Sequence, residues 1–145
     1  MDRVDGGTVR TDGIGNSLRG PVTGLGGKVV DGSRNVSGDP AILYGPTGGA
    51  NQAWTLGGDG ALHLADNGLC LDLKDGGTAN GTPVILWDCS GGANQQWRYE
   101  NGTPRNPVSG RCLDVPDGNA ADGTPVAVWD CDGAANQKWT VPATP

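Results

Sequence analysis

Two stretches of the chain decide its fold: residues 68–97, GLCLDLKDGGTANGTPVILWDCSGGANQQW, and residues 110–139, GRCLDVPDGNAADGTPVAVWDCDGAANQKW. When aligned, they are identical at 19 of 30 positions. A third stretch, residues 27–54, follows the same plan as GKVVDGSRNVSGDPAILYGPTGGANQAW, but it is two residues shorter between its Asp and its final Trp. The final tryptophans are spaced 43 and 42 residues apart. Self-similarity at a fixed period of this size predicts a repeat architecture.

Each copy reads as strands and tight turns. Short apolar runs such as LCLDL and VILW alternate with clusters of Gly, Asp, Asn and Pro, and no long window shows an apolar stripe at helical spacing. We therefore predict an all-β fold with about four short strands per copy, including residues 61–64 and 96–99 in the second copy. Three such units bury their apolar faces best by closing around a pseudo-threefold axis. Solenoid stacking is the alternative, and it leaves two unprotected ends.

Length and charge limit the organisation and the partners. The 145 residues suit one domain, predicted over residues 18–141 with repeats at about 18–57, 58–100 and 101–141. The Gly- and Asp-rich residues 1–17 are expected to be an N-terminal extension or linker remnant, and residues 142–145 a second linker remnant. The formal charge of −6 argues against nucleic acid as a partner. No apolar run approaches the roughly 20 residues that span a membrane.

The cysteines follow the repeat. Cys70 and Cys89 are 19 residues apart, as are Cys112 and Cys131, whereas the first copy has Val29 and Pro46 at the two equivalent places. Cysteines that are gained or lost as pairs predict a disulfide inside each repeat. Four cysteines allow three connectivities, of which the repeat favours Cys70–Cys89 with Cys112–Cys131. Disulfides imply an oxidising compartment, so we expect a secreted protein. Met1 is then expected to be the start of a piece excised from that protein.

A metal site or another cofactor is not expected from the sequence. Zinc sites commonly use paired Cys-x-x-Cys motifs, and this chain has none. Its only histidine is His63, which has no evident catalytic partner.

The combined pattern resembles a known family. Cys-Leu-Asp and Gly-Thr-Pro-Val-x-x-Trp-Asp-Cys each occur twice, and Asn-Gln-x-Trp occurs three times. Over about residues 18–141, this pattern is similar to the ricin B-type lectins. That family includes the family 13 carbohydrate-binding modules of glycoside hydrolases. The resemblance implies a β-trefoil of twelve strands, with a six-stranded barrel, three capping hairpins and up to three sugar sites. It also implies multivalent, non-catalytic sugar binding by a monomeric module that targets a larger secreted glycoside hydrolase to galactosyl glycan, xylan or β-glucan.

The residues themselves suggest where a sugar would bind. A pyranose needs a flat aromatic for its C–H face and charge-assisted acceptors for its hydroxyls. In the strand ending at Trp87, alternation points Val84 and Leu86 to the core and leaves Trp87 outside beside Ile85. Trp129 stands outside by the same argument. Each is interpreted as a stacking platform, the alternative being a half-buried surface Trp.

The family pattern adds polar partners to these platforms. It places the hydroxyl-binding carboxylate on Asp72 and Asp114 and a polar contact on Asn94 and Asn136. For Gln95 and Gln137, sugar contact and support of the loop are equally weighted. The first copy keeps a weaker version of the set, made of Asp31, Tyr44, Asn51 and Gln52. The repeated Trp54, Trp97 and Trp139 are predicted to be core residues, and Asp75 and Asp117 are predicted to form turns before glycine.

Two departures from the family pattern weaken the predicted sites. Many relatives carry a Gln two residues before the aromatic, where this chain has Ile42, Ile85 and Ala127, so each site lacks one hydrogen-bond partner. The first copy also has a shortened turn with Arg34 near the acidic-turn position.

Two other function classes fit the sequence less well. A glycosidase needs two carboxylates across one bond, but here one main Asp per repeat places them on separate faces. No nucleophile elbow is present, so catalysis is not expected. The remaining alternative is a protein-binding or purely structural trefoil, inhibitor-like and without sugar affinity.

Overall fold

The computed structural model describes residues 19–142. The predicted extension over residues 1–17 lies outside this range, as do residues 143–145 of the predicted C-terminal linker. Pro142, assigned to that linker, is buried and lies close to Gly20. No helix in the described range is long and apolar enough to cross a membrane.

Twelve short strands make up the regular structure of residues 19–142. They are β1 (Arg19–Gly20), β2 (Val29–Asp31), β3 (Ile42–Tyr44), β4 (Trp54–Leu56), β5 (Leu62–Leu64), β6 (Cys70–Leu73), β7 (Val84–Trp87), β8 (Arg98–Glu100), β9 (Thr103–Asn106), β10 (Arg111–Asp114), β11 (Thr124–Pro125) and β12 (Ala127–Asp130). The first two repeats contribute four strands each, as predicted. In the third, β11 and β12 are two parts of one interrupted strand, and the last strand is reduced to a bridge at Thr140. The expected strand at 96–99 begins two residues later, because Gln96 still closes the preceding 3-10 turn.

Short 3-10 turns connect these strands. In each repeat, one such turn precedes the final tryptophan: Ala50–Gln52, Ala93–Gln95 and Ala135–Gln137. Two follow the Asp-bearing strands of the second and third repeats, at Lys74–Gly76 and Pro116–Gly118, and one lies at Leu25–Gly27. Asp75 and Asp117 adopt left-handed backbone angles in these turns, with φ of 55° and 56°, each followed by a glycine. Both therefore form turns, as predicted.

The chain closes on itself. The strands form sheets in the orders β1-β4-β5-β6-β7, β12-β10-β9-β8 and β11-β3-β2. In the last of these, the third repeat pairs with the first through Thr124 opposite Leu43 and Pro125 opposite Ile42. Thr23 and Thr140 also exchange two backbone hydrogen bonds of 2.9 and 2.7 Å. Pairing between the first and third repeats confirms closure over an open solenoid.

One tryptophan per repeat anchors the core. Trp54, Trp97 and Trp139 are buried among leucine and valine side chains from all three repeats. Each indole Nε1–H donates to a backbone carbonyl of the Asp-bearing strand in its own repeat: Val30 at 2.9 Å, Leu71 at 3.1 Å and Leu113 at 3.0 Å. Each Trp thus combines apolar burial with a satisfied polar group. Its replacement by Ala should lower the free energy of unfolding by about 3–5 kcal/mol. The predicted core role is confirmed.

The two predicted disulfides are present. Cys70 bonds to Cys89 and Cys112 to Cys131, with Cα–Cα distances of 5.2 and 5.1 Å. Each bond links the start of the Asp-bearing strand to the loop after the outward Trp. The first repeat keeps the same pairing without a disulfide, since Val29 lies opposite Tyr44 just as Cys70 lies opposite Trp87.

The residue after each outward aromatic donates its backbone N–H to a side chain of a neighbouring repeat. Asp88 N–H donates to Ser37 Oγ at 3.2 Å, and Asp130 N–H donates to Asn80 Oδ1 at 2.8 Å. The third contact completes a ring through the three repeats, because Gly45 N–H donates to Asp122 Oδ1 at 2.9 Å. The strand that carries each aromatic is therefore positioned by two repeats.

Candidate functional site

The outward aromatics stand where strand alternation predicts them. Trp87 and Trp129 lie at or near the ends of β7 and β12 and are 48% and 47% exposed. Their neighbours Leu86 and Val128 are fully buried. Nearly half-exposed indoles on rigid strands offer a flat apolar surface to a ligand.

The Asp-bearing strand lies beside each aromatic strand. Asp72 of β6 pairs with Ile85, and Asp114 of β10 pairs with Ala127. Each carboxylate is therefore displaced by one pleat from the Trp and shares its face of the sheet. Both side chains are buried, so hydrogen bonds have to compensate the lost hydration of the carboxylates.

In the second repeat, two amides hold the carboxylate. Gln95 Nε2 donates to Asp72 Oδ2 at 2.8 Å, and Asn94 Nδ2 donates to the same oxygen at 3.2 Å. Both amides sit on the Ala93–Gln95 turn, which brings them together over the carboxylate. The other oxygen, Oδ1, has no hydrogen-bond donor among the described residues.

The third repeat reproduces this geometry. Gln137 Nε2 and Asn136 Nδ2 donate to Asp114 Oδ2 at 2.9 and 3.3 Å. Within residues 19–142, Asp114 Oδ1 likewise has no donor. An ionised carboxylate oxygen without a donor is a strong acceptor for hydroxyl groups.

The hydrogen bonds of Gln95 and Gln137 recur in both repeats and favour a role in holding the loop over direct contact with a sugar. Gln95 is fully buried, and its second amide hydrogen bonds to Asp88 O at 2.9 Å while its Oε1 accepts from Ser90 N–H at 2.8 Å. Gln137 makes the equivalent bonds to Asp130 O and Asp132 N–H. Because both amide hydrogens and the carbonyl oxygen of each glutamine already have partners within the protein, these side chains have little capacity for a ligand. They orient the carboxylate and fasten the loop after the Trp.

The first repeat closes the same carboxylate from both sides. Asp31 Oδ2 accepts from Gln52 Nε2 at 2.9 Å, as in the other repeats. Its Oδ1, however, accepts from Ser33 N–H at 2.7 Å and from Asn51 Nδ2 at 3.2 Å. The shortened turn produces this difference, because it folds Ser33 back over Asp31 with φ of 57°. Tyr44 remains exposed beside a carboxylate that is already satisfied.

Arg34, expected near the acidic-turn position, is turned away from Asp31. Its guanidinium and its backbone N–H both bond to Asp39, each at 3.0 Å. Arg34 therefore stabilises the shortened turn, and it does not bond to the carboxylate of the weaker site.

A cavity of about 320 Å³ opens between the Trp and the carboxylate of the second repeat. Its lining consists of Asp72, Asp75, Gly76, Ile85, Trp87, Ser90 and Asn94. Ile85 faces the cavity, as alternation predicts, yet it is only 9% exposed and so forms an apolar floor. Asp75 and Ser90 were not assigned to the site from the sequence. The signal for Asp75 was its position three residues after Asp72, across a turn that brings the two together.

Burial makes the two carboxylates unusual. It raises the pKa of Asp72 above its ordinary value, against a lowering by the hydrogen bonds from Gln95 and Asn94 and with a further increase from the nearby Asp75 charge. Burial likewise raises the pKa of Asp114, partly offset by Gln137. A ligand that donates hydroxyl hydrogens to these oxygens replaces hydration that folding removed.

One group in the described residues has the composition of a metal site. The ligand atoms of His63, Cys70 and Cys89 lie within 4.8 Å of one another. The two sulfurs are bonded to each other, so they are not thiolates and the group is not a metal site in this form.

The model of the ricin-type beta-trefoil lectin domain matches residues 19–139. The chain belongs to this family. It is a β-trefoil with threefold pseudo-symmetry, and family membership supports carbohydrate binding as the role of the domain. Among curated proteins, none matches the chain.

Solved structures agree on the fold. ThreeFoil, a designed threefold symmetric protein, is 32% identical with a TM-score of 0.75, over 83% of this chain and 95% of its own. Agglutinin from Abrus precatorius is 29% identical with a TM-score of 0.78, and the match covers 90% of this chain but only 50% of the agglutinin chain. The C-half of an earthworm R-type lectin, solved with GalNAc, is 18% identical with a TM-score of 0.74, over 85% of this chain and 96% of its own, and supports the fold alone.

Proposed function

We propose that this domain binds carbohydrate without catalysis, through shallow sites on the second and third repeats. The observation that carries the proposal is an exposed Trp beside a buried carboxylate with one open oxygen, built twice with the same geometry. Trp87 and Trp129 supply the stacking surface, and Asp72 and Asp114 accept from adjacent hydroxyls. Asn94 and Asn136 border the sites, while Gln95 and Gln137 orient the carboxylates.

The first repeat is proposed as a weaker third site. Asp31, Tyr44, Asn51 and Gln52 keep the arrangement of the other repeats, but Ser33 N–H already occupies the oxygen that a sugar would use. A hydroxyl that displaces this bond gains little net free energy, because one hydrogen bond is exchanged for another.

Binding by such sites depends on multivalency. One platform with two or three hydrogen bonds gives an affinity on the order of millimolar, or about 4 kcal/mol. Two or more sites on one rigid body gain avidity on a polymer. A polysaccharide or a glycan-coated surface is therefore the expected ligand, and the panel to test consists of galactosyl glycans, xylan and β-glucan.

Non-catalytic binding is favoured by the layout of the carboxylates. A glycosidase places two carboxylates on opposite sides of the scissile bond. Here Asp72 and Asp75 leave the same strand end, so both lie on one wall of the cavity. Carboxylates on one side of the cavity, together with the indole of Trp87, suit recognition of one face of a sugar.

The cellular context is proposed on chemical grounds. Two disulfides favour an oxidising compartment and hence secretion. We extend the proposal to a family 13 module that targets a larger glycoside hydrolase to its substrate. The alternative is a protein-binding or structural trefoil, for which the repeated Trp and Asp arrangement has no role.

The test is retention on insoluble polysaccharides, compared between the wild-type protein and Trp87→Ala/Trp129→Ala. Removing both platforms should lower retention at least about 100-fold, since loss at two sites multiplies under avidity. Tyr99→Ala is the matched control, because Tyr99 is an exposed aromatic, 41% accessible, outside the candidate sites. A folded double variant that binds as tightly as the wild type would refute the lectin function. Release of soluble sugar by the purified wild-type chain would refute its non-catalytic character.

A further inference from the structure

The Cys70–Cys89 disulfide has a neighbour that the other disulfide lacks. His63 of β5 pairs with Cys70 of β6, and its ring reaches the disulfide. Nδ1 lies 3.4 Å from the sulfur of Cys70 and 3.4 Å from that of Cys89. Cysteine sulfur and histidine nitrogen are ligands that zinc commonly takes in proteins.

The imidazole is already oriented for a metal. Its other nitrogen, Nε2, contacts the carboxylate of Asp59 at 3.0 Å. With the proton on Nε2 and directed to Asp59, the lone pair of Nδ1 faces the two sulfurs. A carboxylate that holds the far side of a histidine is the usual outer partner of a zinc-bound imidazole.

We propose that reduction of Cys70–Cys89 creates a site for a borderline-soft divalent cation such as Zn²⁺, ligated by both cysteine thiolates and His63 Nδ1. A tetrahedral centre with Zn–S of about 2.3 Å and Zn–N of about 2.0 Å places sulfur and nitrogen ~3.5 Å apart. Both sulfur–nitrogen distances are already close to that value. Only the two sulfurs have to separate, to ~3.8 Å, which reduction permits. Cys89 is exposed, so the fourth position is open to water.

The chemistry balances with a phosphine as reductant. One phosphine and one water convert the disulfide into two thiols and a phosphine oxide. Binding of the cation then releases two protons, one from each thiol, and the hairpin of the second repeat is closed by the metal in place of the disulfide.

The third repeat is an internal control. Its disulfide, Cys112–Cys131, occupies the same place, and Arg105 stands opposite Cys112 where His63 stands opposite Cys70. A guanidinium is always protonated and cannot ligate a cation. Its charge is instead paired with Glu100 at 3.3 Å. The proposal therefore predicts one metal site per chain, not two.

The experiment is titration of Co²⁺ and Zn²⁺ into the full-length, phosphine-reduced protein without oxygen. We expect one Co²⁺ per chain with a thiolate-to-cobalt absorption band, displaced by Zn²⁺, and retained in Cys112→Ser/Cys131→Ser. His63→Ala should bind at least about 100-fold more weakly, and Asp59→Ala about 10- to 100-fold more weakly. Circular dichroism of each reduced variant reports whether the fold persists.

Several outcomes would overturn the proposal. These are no uptake by the reduced protein, two cations per chain, or equal affinity in His63→Ala. Loss of binding in Cys112→Ser/Cys131→Ser would also overturn it, because the site would then need the other pair. If a reduced variant unfolds, equal affinity of reduced wild-type protein in denaturant would show binding by an unfolded chain and refute a site preformed by the fold.

Discussion

The first repeat and the second repeat share a backbone plan, yet they treat the same carboxylate differently. In the second, both amide donors converge on one oxygen of Asp72, and the other has no donor among the described residues. In the first, the turn is two residues shorter and folds Ser33 N–H onto Asp31. A site can therefore be closed by a change in the backbone while its side chains are kept.

The same comparison holds for the way each hairpin is closed. The second and third repeats use disulfides, whereas the first uses only packing and the pairing of Val29 with Tyr44. In every repeat a buried glutamine binds both the Asp and the loop after the aromatic. Four predictions test which of these differences matter.

The largest expected effect is on stability, from the disulfides. Cys112→Ser/Cys131→Ser should lower the free energy of unfolding by about 3 kcal/mol, as expected for a loop of this length. Chemical denaturation with fluorescence of the tryptophans measures it. Cys70→Ser/Cys89→Ser should cost a similar amount, and a negligible cost for both would mean that packing closes these hairpins as it closes the first.

Substitution of the buried glutamines should distinguish their effect on stability from their effect on sugar binding. Gln95→Leu leaves Asp88 O and Ser90 N–H without their buried partner and should cost about 2 kcal/mol of stability. Because Asp72 then loses its orientation, polysaccharide retention should fall as well. Gln52→Leu should cost as much stability, since Gln52 makes equivalent bonds to Gly45 O and Thr47 N–H, but should change retention little. Equal loss of retention in both variants would show that the first repeat binds as strongly as the second.

The raised pKa values of Asp72 and Asp114 predict opposite effects of pH on binding and on stability. Sugar binding needs the ionised form, so retention should fall as pH falls through the raised pKa values, before an Asp at the ordinary value of 3.8 would protonate. For stability the sign reverses. Their contribution is fully present below the unfolded-state pKa and is lost as pH rises through the folded-state pKa.

The variant Asp72→Asn/Asp114→Asn isolates this contribution from that of other carboxylates. The free energy of unfolding of the wild type, relative to that of this variant, should fall as pH rises through that window and be constant above it. A difference that grows in the opposite direction would mean that the pKa values are lowered.

The smallest effect is expected from completing the aromatic of the first repeat. Tyr44→Trp, made in the Trp87→Ala/Trp129→Ala background, should raise retention by less than about twofold, because Ser33 N–H still occupies Asp31 Oδ1. Polysaccharide pull-down measures it. A gain comparable to a restored second-repeat site would instead identify the aromatic as the feature that the first repeat lacks.

Much of the architecture was predictable because it depends on local patterns. The period of the repeat, alternation along β7, and paired gain of cysteines gave the closed all-β fold, the outward Trp87 and both disulfides. One strand boundary was less accurate, since β8 begins two residues late, and Pro142 is buried although the sequence suggested a linker there. The start of β8 is set by the local Ala93–Gln95 turn, whereas the burial of Pro142 depends on packing near Gly20, which is distant in sequence.

The candidate site was predicted in membership but not in geometry. Asp72, Trp87 and Asn94 do meet around one cavity, yet Asp75 was taken only as a turn former. The role of Gln95 stayed open because a sequence does not show how many of its hydrogen-bonding positions are used.

By itself, the sequence determined the threefold plan, the core tryptophans and the side of each strand that faces out. These follow from a period of about 42 residues and from the two-residue alternation of strands, which are properties of the chain alone. Only the tertiary structure decided that Asp72 and Asp114 each keep one oxygen without a donor among the described residues, that Asp31 does not, and that His63 lies against one disulfide. The reason is that hydrogen-bond partners are chosen by three-dimensional proximity: Gln95 reaches back 23 residues to Asp72, and His63 reaches 26 residues to Cys89.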